Sequence, residues 1–279
     1  MSNQLQIQKI LKTIRWNKGL ACALTLLGLI VVSSTLLPLP HDPMQPNPYQ
    51  TLRPPDGEFW FGTDRVGFDV FSRTIRSARV DLPVSVVGTL VSLVVGVTIG
   101  LVVSVKGRWS ERIMRCLDMF QAFPLLVLAI VVVALTGNNL RNVVVAIALV
   151  NIPRFIRLVR SEALALREAG FIEAATSIGA SRVRVMVRHL LPNMTGVVVA
   201  QASLAAAHAI IVVAGLSFLG IGITPPQASW GTMIRSGSQN IATGHWWVAV
   251  FPGLAVFVVV TSFNMVADGI YRLLAGDDQ

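Results

Sequence analysis

From Glu173 to Asn193 the sequence reads EAATSIGASRVRVMVRHLLPN, a charged segment set between two apolar runs. Ala174, Ala175 and Ile178 fall at helical spacing with Gly179 directly after them, a face small enough for another protein's backbone to come close. Glu173 stands near the start of this turn, where a carboxylate is favoured by the helix dipole. Gly179-Ala180-Ser181 breaks the helix, and Ser181 can cap a second one carrying Arg182, Arg184 and Arg188. Pro192, after Leu191, either stops that second helix or opens the next span, where its missing N–H is not needed. The chemistry is docking and force transmission: a short helix off the membrane, bent into a spanning one. The arginines alone fit a solvated loop equally well.

Other polar residues offer less. Gln201 and His208 lie seven apart in one apolar run and so share a helical face. They either line a polar path or make interhelical hydrogen bonds. A lone imidazole is no coordination shell, so no metal site is expected. Asn151 precedes Pro153 and is expected to repair the backbone that proline interrupts, while Asn264 and Asp268 suit packing or capping. Cys22 and Cys116 lie far apart with no Cys or His at ligand spacing, which predicts small buried or unreactive thiols rather than a disulfide or zinc site. No GxxxxGK[ST], GxSxG or HExxH occurs, so neither ATP hydrolysis nor a membrane hydrolase is expected of this chain.

The elements that position these residues are apolar. Of the 279 residues, 53% are hydrophobic and 13% charged, against about 25% charged in soluble domains. Lipid is the expected solvent. Apolar runs at 19–37, 82–105, 119–136, 142–160, 194–216 and 246–271 predict six spans, the third interrupted at its beginning by Pro124. The first is expected to be an uncleaved helix, because its run is long and a small-residue cleavage site is missing.

The net charge of +9 falls mainly between apolar runs and reads as an orientation signal, not as a nucleic-acid surface. Basic residues cluster in the N-terminal tail, at Lys106, Arg108, Arg112 and Arg115, and from Arg154 to Arg188. Six spans put all three clusters on one side, which predicts cytoplasmic termini. The long first loop opposite reads as extended and turn-rich over 38–63. Over 67–80, GFDVFSRTIRSARV predicts an amphipathic helix, lying in the membrane interface or packed on the bundle.

The charged segment resembles the EAA loop of ABC-importer permeases, carried by Glu173, Ala174, Ala175, Gly179, Leu191 and Pro192. GTDRVGFDVFSR at 62–73, SFLGIGITPPQASWGTMI at 217–234 and FPGLAVFVVVTSFNMVADGI at 251–270 are similar to the dipeptide, oligopeptide and nickel permeases, specifically the subunit with the shorter first loop. Departures are Phe68 in place of arginine, Ala267 in place of glycine, and the tail YRLLAGDDQ.

The resemblance implies an all-α membrane protein with the type I ABC-importer permease fold. Its divisions are a tail at 1–18, a first span at 19–37, an outer loop at 38–81, a five-helix core at 82–271 holding the coupling segment 168–192, and a tail at 272–279. It implies that the six named coupling residues meet a cytoplasmic ATPase, and that Ser217, Gly220 and Gly222 lie at the outer mouth near a docked binding protein. Implied partners are a second, homologous permease, two ATPases holding ATP and Mg, a periplasmic or lipid-anchored binding protein, and membrane lipid. No cofactor is expected in this chain. The expected function is import of di- or oligopeptides across a bacterial plasma membrane by alternating access. Nickel or a metal chelate is the alternative cargo, and an ATP-independent carrier is an alternative of another class.

Overall fold

A computed structural model describes residues 18–105, 107–223 and 226–275. The first 17 residues, Lys106, Thr224, Pro225 and the last four lie outside the described residues, and with them nearly all of the first predicted tail and half of the last. The described chain is helical: α1 Lys18–Leu36, α2 Val70–Val103, α3 Arg108–Gln121, α4 Leu125–Thr136, α5 Leu140–Leu166, α6 Gly170–Ser177, α7 Arg182–Val185, α8 Leu191–Phe218, α9 Trp230–Ser238 and α10 Trp247–Ala275. A π turn, Met186–Leu190, joins α7 to α8. Among the described residues the only β-pairing is an isolated bridge between Thr63 and Asp69.

Among the described residues five helical stretches are long and apolar enough to cross a membrane: Lys18–Leu36, Val70–Val103, Leu140–Leu166, Arg182–Phe218 and Trp247–Leu274. The expected third span at 119–136 differs from a simple crossing. Pro124 cannot continue a helix from Gln121, and α3 and α4 meet there at 91°. The 12 residues of α4 rise about 18 Å, short of a hydrocarbon core of about 30 Å. The chain still changes ends across this pair. Ser110 contacts Val103 and Arg160 at the arginine-rich end, whereas Asn138 meets Gly222 at the opposite end.

The centre of the bundle is the α2–α5 pair. Gly88, Ser92, Gly96 and Gly100 repeat every fourth residue along one face of α2. A Cβ at Gly96 would collide with Phe155, and one at Gly100 would stand 2.8 Å from Val159. Only hydrogen at these positions lets the backbones approach so closely, which is how helices associate where lipid supplies no hydrophobic drive.

Of the two placements open to the amphipathic segment over 67–80, the structure has the bundle: from Val70 the segment forms the first turns of α2. Asp69 caps it, accepting from the N–H groups of Phe71 and Ser72. Two of its arginines, Arg73 and Arg79, turn toward carbonyls. Arg73 is buried, donates to Pro43 O at 2.9 Å and lies 4.0 Å over the Phe68 ring. Arg79 donates to Ser34 O and Thr35 O at 2.5 and 2.6 Å, satisfying the end of α1. The rest of the loop packs down through Trp247, whose indole N–H donates to Thr63 O at 3.1 Å, and through Phe61, stacked 3.9 Å from Phe251.

The stretch after residue 223, read from sequence as outer loop, contains α9. Trp230, Met233 and Gly237 bury one face of it against α8 and α10. The spacing of those three residues is the signal that marks it.

Candidate functional site

The segment 168–192 is built on a local apolar cluster. Ile172 of α6, Val185 of α7, Leu190 and Met194 are buried with Val159 and Ala163 of α5, and Leu191 packs at the edge. The sequence breaks at Gly179 because its φ is +84°, a left-handed conformation that only glycine adopts readily. Gly179 N–H donates to Thr176 O and Ala180 N–H to Ala175 O, both at 3.0 Å, closing a Schellman turn that satisfies the end of α6. Ser181 opens α7, accepting from Arg184 N–H at 3.3 Å, as its position suggests.

The two alanines of the motif part company here. Ala175 is buried, while Ala174 is exposed beside Phe171 and Ile178. Phe171, Ala174 and Ile178 share one helical face of α6. Ile178 is 87% and Val183 68% exposed, so the outward face is apolar. Glu173 is exposed and makes no ion pair among the described residues. Arg182, Arg184 and Arg188 rim the patch, also without ion pairs. At the base of the segment, burial and the positive charge of Arg182 lower the pKa of Arg167, whose guanidinium reaches Ser104 Oγ at 3.4 Å. Phe171 and Val183 are the residues sequence reasoning missed. Their spacing to Ala174 and Val187 was legible, but which face turns outward depends on tertiary packing.

Pro192 lies in the first turn of α8, so it opens the span rather than stopping the helix before it. The helical path is continuous from Arg182 to Phe218, a stretch of 37 residues, or about 55 Å. A π turn precedes the proline: Leu191 N–H reaches back five residues to Met186 O, and the Asn193 side-chain amide donates to His189 O at 2.6 Å. Segment 168–192 and the predicted outer-mouth residues therefore sit at the two ends of one rod.

At its far end Ser217 is buried against Gly231, and Gly220 lies at φ +83° with the Arg235 guanidinium over it. Gly220 N–H donates to Ser217 O and Ile221 N–H to Leu216 O, a second Schellman turn. Gly222, at φ +91°, donates its N–H to Asn138 Oδ1 just before α5.

Gln201 and His208 are not brought into a common polar cluster. His208 is exposed and its Nδ1 lies 2.8 Å from Leu204 O of its own helix, so its hydrogen bond is local rather than interhelical. Asn151 is buried and donates to Ile147 O, not to Leu149 O, the carbonyl that Pro153 leaves unpaired. Among the described residues no three His, Cys, Asp or Glu side chains gather as a metal site. Cys22 and Cys116 are both free and exposed, so neither is a buried thiol.

The comparisons agree with this arrangement. A dipeptide transport system permease protein of Alkalihalophilus pseudofirmus is 39% identical over 255 residues, covering 88% of this chain and 84% of that protein. A glutathione transport system permease protein of Pectobacterium atrosepticum is 39% identical, with 83% of this chain and 77% of the relative covered. The corresponding protein of an Escherichia coli O6:K15:H31 strain is 38% identical over 92% of this chain and 85% of its own length. Residues 92–276, from the middle of α2 to the end of α10, match the family described as binding-protein-dependent transport system inner membrane component. With its crossing helices, its bent segment at 168–192 and these relatives together, the chain is a multi-pass membrane transport subunit and belongs to that family.

Proposed function

We propose that this chain is one permease of an ATP-driven importer for di- and oligopeptides, with α6 docking on a partner ATPase. The observation that carries the reading is the exposed apolar face of Phe171, Ala174 and Ile178, held by the Gly179 turn at the end of a continuous rod. An apolar face rimmed by unpaired arginines suits a groove on another protein better than water.

In this mechanism ATP binding closes two ATPases, holding ATP and Mg, on the cytoplasmic side. Movement of α6 is carried through the π turn into α8 and on to the Ser217–Gly222 turn at the outer mouth. The bundle opens toward a loaded binding protein, and hydrolysis resets it. Only a difference in ATP affinity between open and closed ATPase pairs drives such a shift. A second, homologous permease supplies the other half of the path, against which Gln201 and His208 are available. Both termini are cytoplasmic, in a bacterial plasma membrane.

Peptide is the cargo because the relatives above are named for dipeptide and for glutathione, itself a tripeptide. That does not favour the nickel alternative. The experiment is mild-detergent isolation of the tagged chain from its native membrane, followed by mass spectrometry and uptake assays. Recovery of a second permease and Walker-motif ATPases, with peptide-stimulated ATP hydrolysis, supports the reading. Recovery of this chain alone after cross-linking refutes it, and nickel-stimulated hydrolysis would replace the cargo.

A further inference from the structure

Helix α3 has no part in the coupling path, yet its residues sort into three arcs. At 100° per residue, Trp109, Ile113, Cys116 and Phe120 occupy about 60° of the circumference. Arg108, Arg112 and Arg115 occupy a second arc of about 60°, with Glu111 at its edge. Ser110, Met114 and Asp118 form a third that faces the bundle: Ser110 is buried and accepts from Arg160 at 3.2 Å, and Asp118 pairs with Arg157 at 2.6 Å.

The first two arcs have no comparable partners. Trp109 is 74% exposed and Ile113 37%. Arg112 lies 5.1 Å over the Trp109 ring, and Arg108 and Arg115 make no ion pair or hydrogen bond among the described residues. α3 meets α4 at 91°, so the two cannot both run along the bundle axis. Its attachment to Val103, Arg157 and Arg160 places it level with the end of the α2 and α5 spans.

We infer that α3 lies in the headgroup layer, its Trp109–Phe120 arc in the acyl boundary and Arg108, Arg112 and Arg115 bound to the phosphates of anionic phospholipids. Charge complementarity selects the occupant. Three arginines left unpaired beside an indole match an anionic lipid surface, where each cation near the phosphates adds attraction and the ring fills the boundary below them. The inference rests on the proposed orientation only in naming this leaflet the cytoplasmic one.

Cys116 provides the test, because it stands on the apolar arc and is exposed. With Cys22→Ser, a bimane on Cys116 is followed in the complex isolated with its partners. The complex is reconstituted in vesicles of phosphatidylcholine alone or mixed with phosphatidylglycerol. Nitroxides placed shallow in the acyl chains should quench the label more than chain-end nitroxides or aqueous iodide do. Retention of phosphatidylglycerol through delipidation, read by native mass spectrometry, should fall about fivefold for each of R108Q, R112Q and R115Q. Quenching by iodide alone would overturn the inference by placing the arc in water. Quenching by none of the three would overturn it in favour of a protein partner covering α3. Unchanged lipid retention in the triple variant would also overturn it. The partner proteins recovered from the same preparation test the importer reading separately, so the two can fail independently.

Discussion

The carboxylate of Asp81 accepts the backbone N–H of Trp230 at 2.8 Å, joining α2 to the first turn of α9 across 149 positions of sequence. Ser229, at the N-cap, makes no side-chain cap of its own and donates instead to Asp81 at 3.3 Å. The cap of α9 is thus supplied by another helix. The Trp230 indole N–H also donates to Thr74 O at 2.9 Å, so α9 is tied to α2 at two points.

Removing that cap should loosen α9. Asp81→Ala strands a buried N–H and is expected to destabilise the chain by about 1–3 kcal/mol. Asp81→Asn keeps an acceptor in place and should lose clearly less. Thermal unfolding of both variants in detergent measures this, and equal losses would show that the cap contributes little.

Gly179→Ala meets no neighbour, since nothing lies within 4 Å of a Cβ there. The expected penalty of about 1–2 kcal/mol comes from φ alone. Membrane insertion should survive while uptake falls sharply. Gly179→Asn, better tolerated in left-handed backbone, should retain more uptake than alanine does. If both variants transport normally, the angle between α6 and α7 is not used.

Ile178→Asp places a charge on the exposed face without touching the buried cluster. Thermal stability should change by no more than about 0.5 kcal/mol. Co-purification of ATPases should be lost, and Glu173→Arg should weaken it. Retention of the ATPases by I178D would remove α6 from the docking surface.

Gly100→Leu forces a branched side chain into Val159 across the α2–α5 seam. Overpacking of this kind costs about 1–3 kcal/mol, or more where backbones touch. Accumulation in the membrane should drop, whereas Gly28→Leu, with open space around it, should be tolerated. Similar yields for the two would mean that the seam yields.

Much of this organisation was legible from residue types. The coupling segment announced its own bend, because Gly179 and Ser181 act through local backbone chemistry. The five long spans followed from apolar length alone. What escaped depended on distant partners. Arg73 and Arg79 look like headgroup ligands until Pro43 O, Ser34 O and Thr35 O come within reach. α9 was hidden because it is only nine residues long and its cap comes from Asp81. The glycine seam was written plainly at every fourth residue of α2, yet Phe155 and Val159 give it meaning only once α5 lies alongside.

The π turn at Met186–Leu190 has a consequence for ancestry and for engineering. A π turn holds about one residue more than the α turn it replaces. Deleting a single residue there would restore ordinary winding and leave α6 and α7 facing as they do, whereas deleting one from the α-helical part of the rod would rotate everything before it by about 100°. Ile178 would then point away from its present bearing, although composition and hydropathy would scarcely change. The wide turn is thus the place in the rod where a one-codon change of length is absorbed without turning the exposed face.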